Sequence, residues 1–135
     1  MRMIPTIALS LTLILTSFSA SAQSGLYHEK EVNNRLLVAA VVDKINRECK
    51  SLSVRFFKAR AFIRRTEEIA RSLGYSDQEI KTYTEDRDNR AEMRKRRDRY
   101  FEANGASSLD GESLCVLGRS EIQKNSQIGA VLRAR

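Results

Sequence analysis

Two cysteines, Cys49 and Cys115, are the only thiols in the sequence. Each lies at the edge of an apolar helical stretch, in Ile45-Asn46-Arg47-Glu48-Cys49 and in Ser113-Leu114-Cys115-Val116-Leu117. In an exported chain the economical reading is one disulfide, tying the end of the first mature helix to the last long one. Closing so long a loop removes roughly 4 kcal/mol of unfolded-state entropy on the chain-entropy account. Two buried free thiols are the alternative. The pair does not have C-x-x-C spacing, so neither a thioredoxin-like redox site nor a zinc knuckle is indicated.

Other chemistry is thin. His28 is the only histidine and falls in an expected N-terminal tail, a poor place for a general base or a metal ligand. A serine or cysteine nucleophile needs a positioned base, and there is no second histidine to supply one. Gly74, Gly105, Gly111, Gly118 and Gly129 are isolated, so no phosphate-cradling loop is present; Gly118 and Gly129 read as close helix contacts or caps. The adjacent Glu67 and Glu68 read as solvated charges on a helix surface. The expectation is a protein that is not an enzyme, with no catalytic, cofactor-binding or metal-binding residues and no cofactor.

Charge offers more. The run Arg94-Lys95-Arg96-Arg97 looks nucleic-acid-like, yet Glu85 to Glu102 holds seven basic against six acidic residues. Glu92 and Arg96 are spaced for an i,i+4 ion pair, so this reads as a self-compensating helix face, and no nucleic acid is expected. The positive excess lies elsewhere. Arg55, Lys58, Arg60, Arg64, Arg65 and Arg71 face only Glu67 and Glu68, and Arg119, Lys124, Arg133 and Arg135 face only Glu121. If these regions are neighbours, Arg60, Arg64, Arg65, Arg71, Arg119 and Lys124 form an anion-binding surface. Its partners would be an acidic envelope protein or an anionic lipid or polymer surface.

The N-terminus sets the compartment. Arg2 precedes a stretch without charge from Met3 to Phe18, and Ala20-Ser21-Ala22 then presents small residues before Gln23. This is a secretory signal cleaved between Ala22 and Gln23; a retained membrane anchor is the alternative, though the apolar run falls short of the ~20 residues a span needs. No cysteine follows the cleavage point, which argues against a lipid anchor. Residues 1–22 are therefore read as signal peptide and 23–135 as a single helical domain, periplasmic or secreted. Without Arg2 the mature chain has 23 basic and 17 acidic residues, a net charge of +6. An oxidising compartment suits the cysteine pair.

Positioning these groups falls to helices. The only proline, Pro5, goes with the signal, and Ala, Leu, Arg, Glu and Lys dominate, so the prediction is all-α, a compact bundle of four to five helices with one disulfide. Gln23–His28 is expected as a loose tail. Val38, Val42, Ile45 and Cys49 share one face of a first helix over about Glu29–Cys49, and the nearly all-apolar run Leu36–Val42 makes it the central one. Ser53 is the expected N-cap of a second helix, with Phe56, Ala59, Phe62, Ile63, Ile69, Ala70 and Leu73 on one broad face. Phe57 lies off that face, beside Arg60, Arg64 and Arg71. Gly74 should end the helix. Ser76-Asp77-Gln78-Glu79 is a capping box, with Tyr75 and Ile80 as its hydrophobic staple. Beyond it, 77–104 is one long helix or two, broken near Asp86–Asn89 with Asp86 or Asp88 as cap. A loop to Gly111 precedes a last main helix from about Asp110 to Lys124, then a short terminal helix or turn.

Asp43-Lys44-Ile45 with Cys49, Leu73 to Ile80, Cys115 to Ile122 and Ser126-Gln127-Ile128-Gly129 together resemble a small family of exported alphaproteobacterial proteins, a domain-of-unknown-function family. Some of its members bear the label NnrT, taken from nitrite and nitric-oxide reductase gene neighbourhoods. The resemblance spans essentially the whole mature chain and implies a periplasmic helical protein with one cystine. It carries no catalytic residue with it. The functional expectation is a non-enzymatic periplasmic binding or accessory protein. A stress holdase, or an accessory factor of nitrite or nitric-oxide reduction, is the alternative.

Overall fold

Helix α1, Lys30–Glu48, is the axis on which the other elements pack. In the computed structural model, which describes residues 25–135, it meets α2 (Phe56–Ser72), α4 (Arg87–Ala103), α5 (Gly111–Lys124) and α6 (Gln127–Ala130). The expected leader 1–22 and its cleavage point at Ala22 and Gln23 lie outside the described residues. The central role of α1 follows from its composition: Leu36 to Val42 is apolar on every side, so each neighbour finds an apolar face. Val41 and Ile45 are fully buried, and Cys49 closes the helix as its C-cap.

Cys49 is bonded to Cys115, with the two α-carbons 5.1 Å apart. The staple joins the end of α1 to the first turns of α5, as the sequence led one to expect. Around it Phe101, Leu114, Leu52 and Leu132 complete the larger core.

The chain is not all-α. Among the described residues there are six helices, not four to five, and a short antiparallel ribbon of β1, Leu52–Val54, and β2, Leu132–Ala134. Leu52 pairs with Ala134, Ser53 with Arg133 and Val54 with Leu132. Ser53, expected to cap α2, therefore lies in a strand, and α2 begins after Arg55 with no side-chain cap. The reason is packing. Leu52 must reach from Cys49 into the space left by Gly118, where a Cβ would strike it. An extended backbone makes that reach, and the chain end supplies partners for its main-chain polar groups.

Helix ends follow their local chemistry. Gly74 adopts φ +97°, and α2 closes with Tyr75 N–H donating to Ala70 O at 3.2 Å and Gly74 N–H to Arg71 O at 2.9 Å. This is the six-to-one and five-to-two pattern that a left-handed C′ residue permits. The capping box of α3, Asp77–Glu85, is present in both directions: Glu79 N–H donates to Ser76 Oγ at 3.1 Å, and Ser76 N–H to Glu79 Oε2 at 2.7 Å. Tyr75 and Ile80 pack in the smaller core with Leu26, Val32 and Ala70. The 77–104 segment is two helices, because Asp86 Oδ1 accepts from Asn89 N–H at 2.8 Å and starts α4 anew.

Two further expectations are corrected. Residues 26–28 are not loose: they form a 3-10 turn with Leu26 buried. Asn33 holds it there, its Nδ2 donating to Leu26 O at 2.7 Å and Glu29 O at 2.9 Å. On α4, Glu92 pairs with Lys95 at 2.8 Å, and Arg96 reaches Asn34 Oδ1 at 3.2 Å instead of Glu92.

Candidate functional site

The rotation of α2 on α1 decides which of its side chains face water. Arg35 of α1 fixes it. Its Nε donates to Thr66 Oγ1 at 2.9 Å and one terminal nitrogen to Phe62 O at 3.2 Å, while the guanidinium lies 4.1 Å from the centre of the Phe62 ring. Thr66 and Ala70 are buried by this docking, with Ala59 and Phe62 half-buried. At about 100° per residue, the opposite side of the helix carries Phe57, Arg60 and Arg64, all exposed. Phe56 was expected on the inner face but projects beyond it. It is 63% exposed and Phe57 83%, the two rings edge to face at 5.4 Å. Ile63 and Leu73 are also more than a third exposed.

The six residues expected to bind anions have unequal surroundings. Arg60 and Arg64 have no acidic partner among the described residues. Arg65 pairs with Glu68 at 3.3 Å. Arg71 lies between Asp77 at 2.6 Å and Glu67 at 3.5 Å, roughly 16 Å along the helix from Arg60 by the rise of its turns. Arg119 donates to Ser51 Oγ at 3.0 Å and approaches Glu112 at 3.5 Å. Lys124 pairs with Glu121 at 3.8 Å, beside the hydroxyl of Tyr100, which donates to that carboxylate at 2.9 Å. Burial, and then this bond to an acid, push the Tyr100 phenol well above its usual value.

The ribbon joins what the sequence kept apart. Arg133 Nε donates to Ser53 Oγ at 3.3 Å, and Arg135 N–H to Ser51 O at 3.0 Å. With Arg119 on Ser51, this sets the C-terminal cations beside Lys50 and Arg55 at the foot of α2. From Cys49 to Thr66 the chain has six basic residues and no acidic one.

Two clefts lie away from this face. One of about 400 Å³ between α1, α2 and α3 has an apolar floor of Leu26, Val32, Leu36, Ile63 and Ile80 and a rim of both charge signs, Glu67, Arg71, Asp77 and Lys81. A smaller one of about 220 Å³ is lined by Tyr27, Asn33, Tyr83, Asn89, Arg96 and Arg99. Burial raises the Tyr83 phenol, opposed by the charge of Arg96, and its hydroxyl donates to Asn33 Oδ1 at 2.6 Å.

Residues 24–133 match DUF5333, described as a family of unknown function. The chain belongs to the DUF5333 family. No curated protein and no solved structure matches it. The resemblance read from the sequence is thus met at the level of a family of unknown function spanning residues 24–133.

No residue roles come with the DUF5333 match, so the chemistry rests on the geometry. Among the described residues no three His, Cys, Asp or Glu side chains gather as a metal would require. His28 is exposed and stacks edge to face on Tyr27 at 5.3 Å. Among the described residues of this DUF5333 chain, no helix is long and apolar enough to cross a membrane. The feature with the clearest chemical bias is the cationic face at the foot of α2.

Proposed function

We propose that this is a non-enzymatic binding or accessory protein of the periplasm or extracellular space, which holds an anionic partner on the first half of α2 and the adjoining ribbon. One observation carries the reading: Arg55, Lys58, Arg60 and Arg64 stand on one exposed segment without an acidic neighbour in sequence from Cys49 to Thr66. Arg65, Arg71 and Arg119, by contrast, each lie within 3.5 Å of an acidic side chain. Uncompensated cations concentrated on one face raise the local concentration of anions and steer them to it. The cystine and the signal-like leader support an exported setting. The alphaproteobacterial origin and NnrT label of the similar proteins would add a denitrification context. In that version the anionic partner is an acidic envelope protein.

Retention on immobilised heparin tests the face. Arg60→Glu with Arg64→Glu should lower the eluting salt concentration clearly more than Arg94→Glu with Arg99→Glu, which makes the same change of net charge on α4. Equal effects would show that only total charge matters and would remove the reading.

A further inference from the structure

We propose that the foot of α2 seats on a bilayer containing anionic lipid, with the Phe56 and Phe57 rings entering the boundary between headgroups and acyl chains. This rests on the anion-binding reading of the same face and names its partner. The two rings are largely exposed and meet each other edge to face, outside both core clusters. Phenyl groups left in water at the tip of a helix gain by leaving it. The cations surround them. Along the helix Arg60 and Arg64 follow Phe57 at three and seven residues, on the same strip, while Lys58 and Arg65 flank it on the other side. Arg55 precedes the rings, and no side chain caps the first turn of α2, whose free amides also favour an anion.

Charge complementarity and shape together select a bilayer. The rings project outward from a convex helix end, so an acidic protein would need a matching pocket to receive them. A bilayer takes them anywhere, and its phosphates then lie level with the flexible arginine and lysine heads around the rings. Anionic lipid attracts each such cation additively within a Debye length.

The test is co-sedimentation of the exported chain with vesicles of mixed phosphatidylglycerol and phosphatidylcholine against phosphatidylcholine alone. Binding is expected to the first only. Phe56→Ser with Phe57→Ser should weaken it about tenfold or more while leaving heparin retention intact, and Arg60→Glu with Arg64→Glu should weaken both. The sequence has no tryptophan, so Phe57→Trp installs a single reporter whose emission should shift to the blue on anionic vesicles and be quenched by brominated acyl chains. Absence of that shift, or unchanged vesicle binding by the serine pair, overturns ring insertion. Failure of the unaltered chain to bind anionic vesicles, with its α2-dependent heparin retention intact, would overturn the bilayer and leave an acidic polymer or protein as partner. If α2 and α4 reversals act alike on heparin, the underlying reading has failed instead.

Discussion

Gly129 stands with its α-carbon directly against the main-chain carbonyl of Glu121, leaving no room for a side chain between α6 and α5. The neighbouring Ser126 explains why the two come so close: its N–H donates to Glu121 O at 3.2 Å and its Oγ accepts from Gly129 N–H at 3.0 Å. A methyl group at this position must push α6 away and with it Ile128 and β2. Gly129→Ala should therefore cost about 3 kcal/mol, read from chemical denaturation. Gly25→Ala, where a Cβ meets nothing within 4 Å, is the comparison and should change little.

The Cys49–Cys115 bond spans 66 residues of sequence. Its removal by Cys49→Ser with Cys115→Ser should lower stability by about 4 kcal/mol on the loop-entropy account. Thermal melting of the unaltered chain should drop on adding reductant, whereas the double variant should be indifferent to it. Intact-mass analysis after alkylation under non-reducing conditions should find no modified thiol.

How much of this was readable beforehand depended on range. The Ser76–Glu79 box and Gly74 were visible because each motif is complete within a few residues. Gly118 and Gly129 were readable as close contacts, though not what they touch. The ribbon was invisible. Leu52–Val54 is too short for an alternating pattern, and its partner Leu132–Ala134 lies at the far end of the chain with no turn between them. Ser53 looked like a cap since nothing local said otherwise. Of the expected anion-binding set, the unpaired state of Arg60 and Arg64 and the pairing of Arg71 with Asp77 depend on how α2 and α3 meet. Periodicity does not report that.

Asn33 is the buried polar side chain that anchors the N-terminal turn. Besides donating to Leu26 and Glu29, its Oδ1 accepts from the Tyr83 hydroxyl, so one side chain links the turn, α1 and α3. Asn33→Ala leaves the Tyr83 hydroxyl and two carbonyls without this partner. A loss of about 2 kcal/mol is expected, with hydrogen exchange accelerated first at His28 and Glu29, whose amides donate within the turn.

Acid sensitivity should be traceable to Glu79. The bonds it accepts from Ser76, backbone first, hold its carboxyl below the usual range. A depressed folded-state value means the contribution is present above the unfolded value, about 4.3. It is lost as pH falls through the folded one. Glu79→Gln keeps an acceptor for the box but cannot titrate. Its melting temperature should thus fall less steeply than that of the unaltered chain below about pH 5. Ser76→Ala should cost about 1 kcal/mol at neutral pH.

Stability and binding should separate cleanly among the phenylalanines. Phe101 is fully buried against α1 and α5, and Phe101→Ala should cost about 4 kcal/mol through lost contacts and the cavity left behind. Phe56 and Phe57 are largely exposed and belong to neither core cluster. Phe56→Ser with Phe57→Ser should change unfolding free energy by only about 0.5 kcal/mol in either direction. If the double variant instead unfolded as readily as Phe101→Ala, the two rings would be structural, and a surface role for them would lose its basis. A near-neutral result means that folding does not require two phenyl groups in water at the foot of α2. Their use must then be sought in what the folded chain meets.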